Sequence, residues 1–117
     1  GLATLEVLQR PGSYDRLNAN GKRLGDGLKG LSQMMEMPAY VCQVGSVVDI
    51  LFTDREVRTY RDTWAADSAM TSRFRLEMMR RGIWSPPGSK MYVSLVHSNE
   101  EIDRTLEAAE AAMRSLR

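Results

Sequence analysis

The chain has 117 residues, of which 43% are hydrophobic and 26% charged, the composition of one globular domain with a modest core. Its net charge is +1, and acidic and basic residues are mixed along the sequence, so charge does not favour binding to nucleic acid or to an anionic membrane. The single cysteine excludes an intrachain disulfide, and we expect a cytoplasmic protein. No apolar run approaches the roughly 20 residues of a membrane-spanning helix, and the first residues do not resemble a signal peptide.

The first predicted element is a helix over residues 2–9, in which leucine recurs at every third position. No capping residue precedes it, so we expect the chain to be part of a longer protein. A second helix is predicted over 13–36, and four glycines within it each weaken it by about 1 kcal/mol relative to alanine. Packing must therefore stabilise this helix, and its glycines permit the close approach of another element. Its apolar stripe consists of Leu17, Leu24, Leu28 and Leu31.

Two strands are predicted next, over 39–44 and 47–53, with a kink or bulge at 45–46 between them. Within the first strand, Cys42 lies among apolar neighbours, which predicts a buried and unreactive thiol rather than a nucleophile. Residues 57–65 are compatible with either a loop or a short helix.

A third helix is predicted to reach Arg80 from a cap at either Asp67 or Ser68, and Gly82 is expected to follow it in a left-handed conformation. Beyond it, the sequence predicts a short strand at 83–85, a turn or loop at 86–89, and a longer strand at 91–96.

The last helix follows a capping box formed by Ser98 and Glu101, and it carries apolar residues at steps of three and four as far as the C-terminus. Elements in this order predict one α+β domain over residues 1–117. We expect a three- to four-stranded, mainly antiparallel sheet with helices packed on one face.

Few residues suggest chemistry. His97, the only histidine, precedes a helix and is expected to be structural rather than an acid–base catalyst, and one cysteine with one histidine cannot build a zinc site. The glycines and basic residues of 21–27 lie inside a helical pattern, not in the strand–loop–helix setting of a phosphate cradle. The methionines of 34–37 indicate a flexible helix end rather than a copper site.

Segments along the whole chain, taken in order, resemble the class III aminotransferases, which depend on pyridoxal phosphate (PLP), and among them the glutamate-1-semialdehyde aminomutases. The resemblance includes Val-Gly-Ser-Val at 44–47, Gly-Ile-Trp-Ser-Pro-Pro at 82–87 and Ser-Leu-Val-His-Ser at 94–98. It also covers residues 1–8, 11–17, 21, 24–27, 51–54, 57–60 and 101–106.

The resemblance implies the C-terminal small domain of a fold-type I PLP enzyme, with residues 1–10 as the end of a helix that links it to an absent large domain. That large domain would be the partner of this chain and would hold PLP, and the parent enzyme would be a homodimer. Lys22, Lys29 and Lys90 do not match the position of the cofactor lysine. We therefore expect no catalytic, cofactor-binding or metal-binding residue in this chain, and no activity from the chain alone.

The resemblance further implies that the domain covers the active-site cleft and shapes substrate access, with Ser85, Pro86, Pro87 and Gly88 nearest to the substrate. The loop at 86–91 is shorter than its aminomutase counterpart and lacks the carboxylate found there, so a β-amino-acid transaminase is an alternative parent. A free-standing binding or interaction module that reuses the domain is the other alternative. As part of a larger enzyme, the chain is expected to expose apolar surface and to self-associate.

Overall fold

The structure, a computed structural model, describes residues 1–88 and 90–117 and has the predicted α+β fold. A 3₁₀ helix at Tyr60–Ala65 occupies the segment that the sequence left open between loop and helix. The other elements are helices α1 (Leu2–Leu8), α2 (Ser13–Met34), α3 (Ser68–Arg80) and α4 (Asn99–Leu116), and strands β1 (Tyr40–Val44), β2 (Val47–Leu51) and β3 (Lys90–Tyr92).

The three strands form one antiparallel sheet in the order β1-β2-β3. Val44 pairs with Val47, so residues 45–46 form a tight hairpin turn rather than the predicted kink or bulge. Gly45 has a φ of 57°, the left-handed conformation that such a turn favours and that glycine adopts without strain.

The inner face of the sheet is covered by helices, as predicted. Val48 and Ile50 point to this face and are 0% and 1% exposed. Helix α2 approaches the hairpin turn so closely that a Cβ placed at Gly21 would lie 2.0 Å from the carbonyl oxygen of Gly45. Helix α4 packs against α2 and α3. The core comprises Leu24, Leu28, Met35, Met37, Val48, Ile50, Phe52, Phe74, Met78, Met91, Val93, Ile102, Ala108, Ala109, Ala112, Met113 and Leu116.

The helix ends follow the sequence signals. The Asp67 carboxylate accepts a hydrogen bond from the backbone N–H of Met70 at 2.9 Å and caps α3, and Gly82 ends that helix with a φ of 84°. The predicted capping box of Ser98 and Glu101 is present at the start of α4. These local predictions are confirmed because each depends on neighbouring residues only.

Besides the kink or bulge at 45–46, three other local predictions are wrong. Cys42 is exposed, because it lies on the sheet face opposite the helices. Residues 83–85 do not form a strand, and the Ser85 carbonyl instead accepts a hydrogen bond from the Arg75 side chain. The third strand ends at Tyr92 rather than at residue 96, because the chain turns at 94–97. Ser89, in the predicted loop, lies outside the described residues.

Candidate functional site

A cavity of about 480 Å³ lies beside the segment 82–86 that follows α3. Buried Leu24 and Ile102 form part of its lining, and the side chain of Trp84, 72% exposed, stands on its wall. Polar groups reach it from the start of α4 and from the turn before it. The cavity is thus largely apolar with a few polar groups, as is usual for sites that bind small molecules.

The structure brings two of the four predicted substrate-facing residues to this cavity. Ser85 and Pro86 line it. Gly88, which has a φ of 103°, lies instead with Ser85 at a second, much smaller cavity next to α3. Pro87 is exposed and lines neither of these two cavities.

Arg75 holds this segment in place. Its Nε donates a hydrogen bond to the Ser85 carbonyl oxygen at 3.1 Å, which ties the irregular segment to α3. Arg75 is a charged residue on an amphipathic helix, a position where the sequence alone predicts exposure to solvent. The side chain is half-buried, and no sequence signal points to its contact with a residue ten positions away.

His97 also lines the cavity, but its observed contacts are structural. Its Nδ1 accepts a hydrogen bond from the backbone N–H of Ser94 at 3.0 Å, so this nitrogen carries no proton in that bond. Its own carbonyl accepts from the Asn20 side chain at 3.0 Å, which fastens the turn to α2. These contacts agree with the structural role predicted for His97.

The carboxylate of Glu101, which lines the same cavity as His97, is engaged in helix capping. Hydrogen bonds from the hydroxyl and then the backbone N–H of Ser98 hold the pKa of Glu101 below its usual value. A carboxylate with a lowered pKa in a capping box is a poor general acid at neutral pH.

Comparison with known proteins identifies the fold. No family model matches the chain. It is 35% identical over 116 residues to glutamate-1-semialdehyde 2,1-aminomutase 2 of Brevibacillus brevis, covering 97% of this chain and 27% of that protein. It is 37% identical over 116 residues to a glutamate-1-semialdehyde 2,1-aminomutase of Thermus thermophilus, with the same coverage.

Solved structures give the same result. An omega-transaminase from Sphaerobacter thermophilus superposes with a TM-score of 0.85 at 24% identity, covering 99% of this chain and 27% of that one. A glutamate-1-semialdehyde-aminomutase from Pseudomonas aeruginosa gives a TM-score of 0.88 at 16% identity, covering 98% and 26%. The chain is a small domain of the class III aminotransferase family. This small domain spans about 27% of the length of the curated relatives that it matches.

The lysines of the small domain do not suit covalent attachment of PLP. Lys22 forms a 2.6 Å ion pair with Asp26 on the exposed side of α2, Lys29 is exposed on the same helix, and Lys90 is exposed on β3. None of them lines the 480 Å³ cavity. Their positions therefore give no support for a PLP anchor at the 480 Å³ cavity.

Residues 1–88 and 90–117 contain neither a metal-binding cluster nor a membrane-spanning helix. No group of three or more histidine, cysteine or acidic side chains in that part of the chain is arranged to hold a metal ion. None of its helices is both long enough and apolar enough to cross a membrane.

Proposed function

We propose that this small domain forms one wall of the active-site cleft of a PLP-dependent aminotransferase or aminomutase, with catalysis carried out by a large domain outside this chain. The observation that carries the proposal is the coverage of the match. Nearly the whole chain aligns, at 35% identity, with only 27% of an aminomutase. A relative of that length has room for a separate cofactor domain.

Within this proposal, the segment 85–88 is the part that approaches the substrate. Two of its residues, Ser85 and Pro86, already border a cavity large enough for an amino acid. The Arg75 hydrogen bond to Ser85 and the two prolines restrict the movement of the segment. A restricted segment at a cavity can select among substrates by shape, which supports a role in substrate access.

We further propose that residues 1–10 are the end of the helix that links this domain to the large domain. Helix α1 has no buried residue, and Leu2 and Leu5 are 80% and 54% exposed. A seven-residue helix this poorly packed has little reason to form alone. Its apolar side suits packing against polypeptide that precedes it in the parent enzyme.

The sequence also bears on which amino acid the parent enzyme uses as substrate. Residues 86–91 contain no acidic side chain, which favours a β-amino-acid transaminase as the second candidate. A β-phenylalanine aminotransferase from Variovorax paradoxus has the same fold in this region, with a TM-score of 0.79 at 22% identity.

A chimera tests the proposal. The segment of the Thermus thermophilus aminomutase that matches this chain is replaced by residues 1–117, and the relative without that segment serves as the negative control. We expect the chimera to fold, bind PLP and catalyse amino-group transfer, whereas the truncated relative does not. A well-folded chimera that binds PLP but transfers no amino group from any amino acid tested would contradict the proposal and favour a free-standing interaction module.

The same chimera tests the segment 85–88. Pro86→Ala is expected to change the KM for the preferred amino donor by about tenfold, because a change of one or two methylene groups in a substrate pocket has effects of this size. Gly30→Ala, on the exposed side of α2, is the control and should leave KM unchanged.

A further inference from the structure

One charged group on the wall of the 480 Å³ cavity, the Arg104 guanidinium, is available to a ligand. Arg104 lies on α4, three residues after the capping residue Glu101. Among the residues that the structure describes, it forms no ion pair, whereas Arg23 and Arg114 each pair with a carboxylate at 2.8 Å. A guanidinium binds a carboxylate through two parallel hydrogen bonds, so Arg104 is suited to a ligand that carries one.

The ring of His97 offers a hydrogen-bond donor to the same cavity. Its Nδ1 accepts from the backbone N–H of Ser94, so the neutral imidazole carries its proton on Nε2. No acceptor for the Nε2 proton is found within residues 1–88 and 90–117. His97 and Arg104 therefore give the cavity two donors that are suited to an acidic group.

Another part of the cavity wall is apolar and is dominated by an aromatic ring. Trp84, Ile83 and Pro86 line this part, and Trp84 is 72% exposed. Trp64 packs edge-on against Tyr60 with ring centroids 6.0 Å apart, whereas Trp84 has no aromatic partner in the described part of the chain. An indole stacks well on another ring, so this part of the wall is suited to an aromatic group.

Glu101 limits the ligand to one acidic group. Its carboxylate lines the cavity, and hydrogen bonds from the hydroxyl and backbone N–H of Ser98 lower its pKa, so it is negatively charged at neutral pH. Arg104 is the one lysine or arginine among the described residues that line the cavity, so a second ligand carboxylate would be repelled without compensation. An ammonium group beside the first carboxylate is compatible with Glu101.

We infer that the cavity binds a free amino acid with one carboxylate and an aromatic side chain. Its carboxylate contacts Arg104 and the Nε2–H of His97, and its ring packs on Trp84. The cavity volume of about 480 Å³ is within the usual range for small-molecule sites. The inference rests on the proposed function for the role of this ligand as the amino donor of the parent enzyme, whereas the binding itself is a property of this chain.

The two tryptophans of the chain allow a direct binding test. L-Phenylalanine is titrated into the isotope-labelled full chain at neutral pH, and the indole N–H signals are followed by NMR. Trp64, 69% exposed and outside this cavity, is the internal control. We expect the Trp84 signal to shift and to saturate with a Kd of roughly 1–10 mM, while the Trp64 signal stays fixed. L-Glutamate, which has no ring, and phenethylamine, which has no carboxylate, should bind at least about tenfold more weakly.

Matched variants locate the two contacts. Arg104→Gln should weaken L-phenylalanine binding at least about tenfold, whereas Arg73→Gln, at an exposed arginine on α3 outside the cavity, should not. Trp84→Ala should weaken binding by a similar factor, and Trp84→Phe, which keeps an aromatic ring, should restore most of it. Binding to the Trp84 variants is followed on the backbone N–H signals of residues 101–105.

The possible results separate this inference from the proposed function. An unshifted Trp84 signal well above that concentration range, or L-glutamate binding as tight as that of L-phenylalanine, would overturn the inference and leave the proposed function intact. In an active chimera, Arg104→Gln should raise the KM for L-phenylalanine about tenfold with PLP binding unchanged, and an unaltered KM would overturn the role as amino donor. Binding to the chain together with an inactive chimera would support the site and contradict the proposed function.

Discussion

Replacing Gly21 by alanine tests the close approach of α2 to the hairpin turn. The added Cβ would lie 2.0 Å from the carbonyl oxygen of Gly45, which is backbone and cannot rotate away as a side chain can. That oxygen also accepts a hydrogen bond from the Gln43 side chain at 2.6 Å, so moving it disturbs a second contact. Overpacking of this kind costs about 3 kcal/mol at the upper end of the usual range.

The helix itself gains from the same substitution, because alanine is about 1 kcal/mol better than glycine in a helix interior. We therefore expect Gly21→Ala to lower the free energy of unfolding by about 2 kcal/mol. Gly30→Ala is the matched control: nothing lies within 4 Å of its Cβ, so only the gain of about 1 kcal/mol remains. The free energies of unfolding of the two variants should differ by about 3 kcal/mol, because only the alanine at position 21 meets Gly45.

Urea denaturation followed by circular dichroism measures both variants. With a slope of about 2 kcal/mol per molar urea, the midpoints should lie about 1.5 M apart, with Gly30→Ala higher than the parent sequence and Gly21→Ala lower. Equal midpoints, or a higher midpoint for Gly21→Ala, would show that α2 does not approach the turn as described.

Three further predictions concern the core, the cavity wall and pH. Met113→Ala, at a fully buried site, should cost about 2–5 kcal/mol in urea denaturation, whereas Met34→Ala, 59% exposed, should stay within about 0.5 kcal/mol. Arg75→Ala should speed amide hydrogen exchange in residues 83–88 while leaving α4 unaffected; unchanged exchange would mean that its bond to Ser85 does not hold the segment. Capping lowers the pKa of Glu101 in the folded chain. The stability that ionised Glu101 gives the fold is therefore fully present above its pKa in the unfolded chain, about 4.3, and is lost as pH falls through its pKa in the folded chain. Glu101→Gln can keep the capping hydrogen bond but cannot titrate, so its Tm should depend less steeply on pH between about 5 and 3, and an equally steep dependence would refute this origin.

The elements that the sequence predicted well are those decided by local rules. Helix α4 has a capping box at its start and an apolar residue at every third or fourth position, and the structure buries Ile102, Ala109, Met113 and Leu116 as that pattern requires. Helix α3 likewise has its cap and its terminal Gly82 in the sequence. These signals depend on residues a few positions apart.

Local rules did not predict which side of β1 faces the core. Tyr40, Cys42 and Val44 on one side are more apolar than Val41 and Gln43 on the other, so alternation alone favours burial of the wrong side. The decision comes from α2, which packs the glycine at position 25 against Gln43 and Val48. Cys42 is exposed for that reason, and a contact between segments so far apart leaves no mark in the local pattern.

The family resemblance predicted part of the candidate site. The resemblance pointed to 85–88, and two of those residues border the cavity. It did not indicate the hydrogen bond from Arg75, because a single arginine among the residues of an amphipathic helix gives no periodic signal.

Reductive trapping of PLP tests the central claim that catalysis depends on another domain. The isolated chain is incubated with one equivalent of PLP, reduced with borohydride, digested and analysed by mass spectrometry. We expect only slight labelling, spread over Lys22, Lys29 and Lys90. Stoichiometric labelling of one of these lysines would contradict the account, because it would show that this domain can anchor the cofactor by itself.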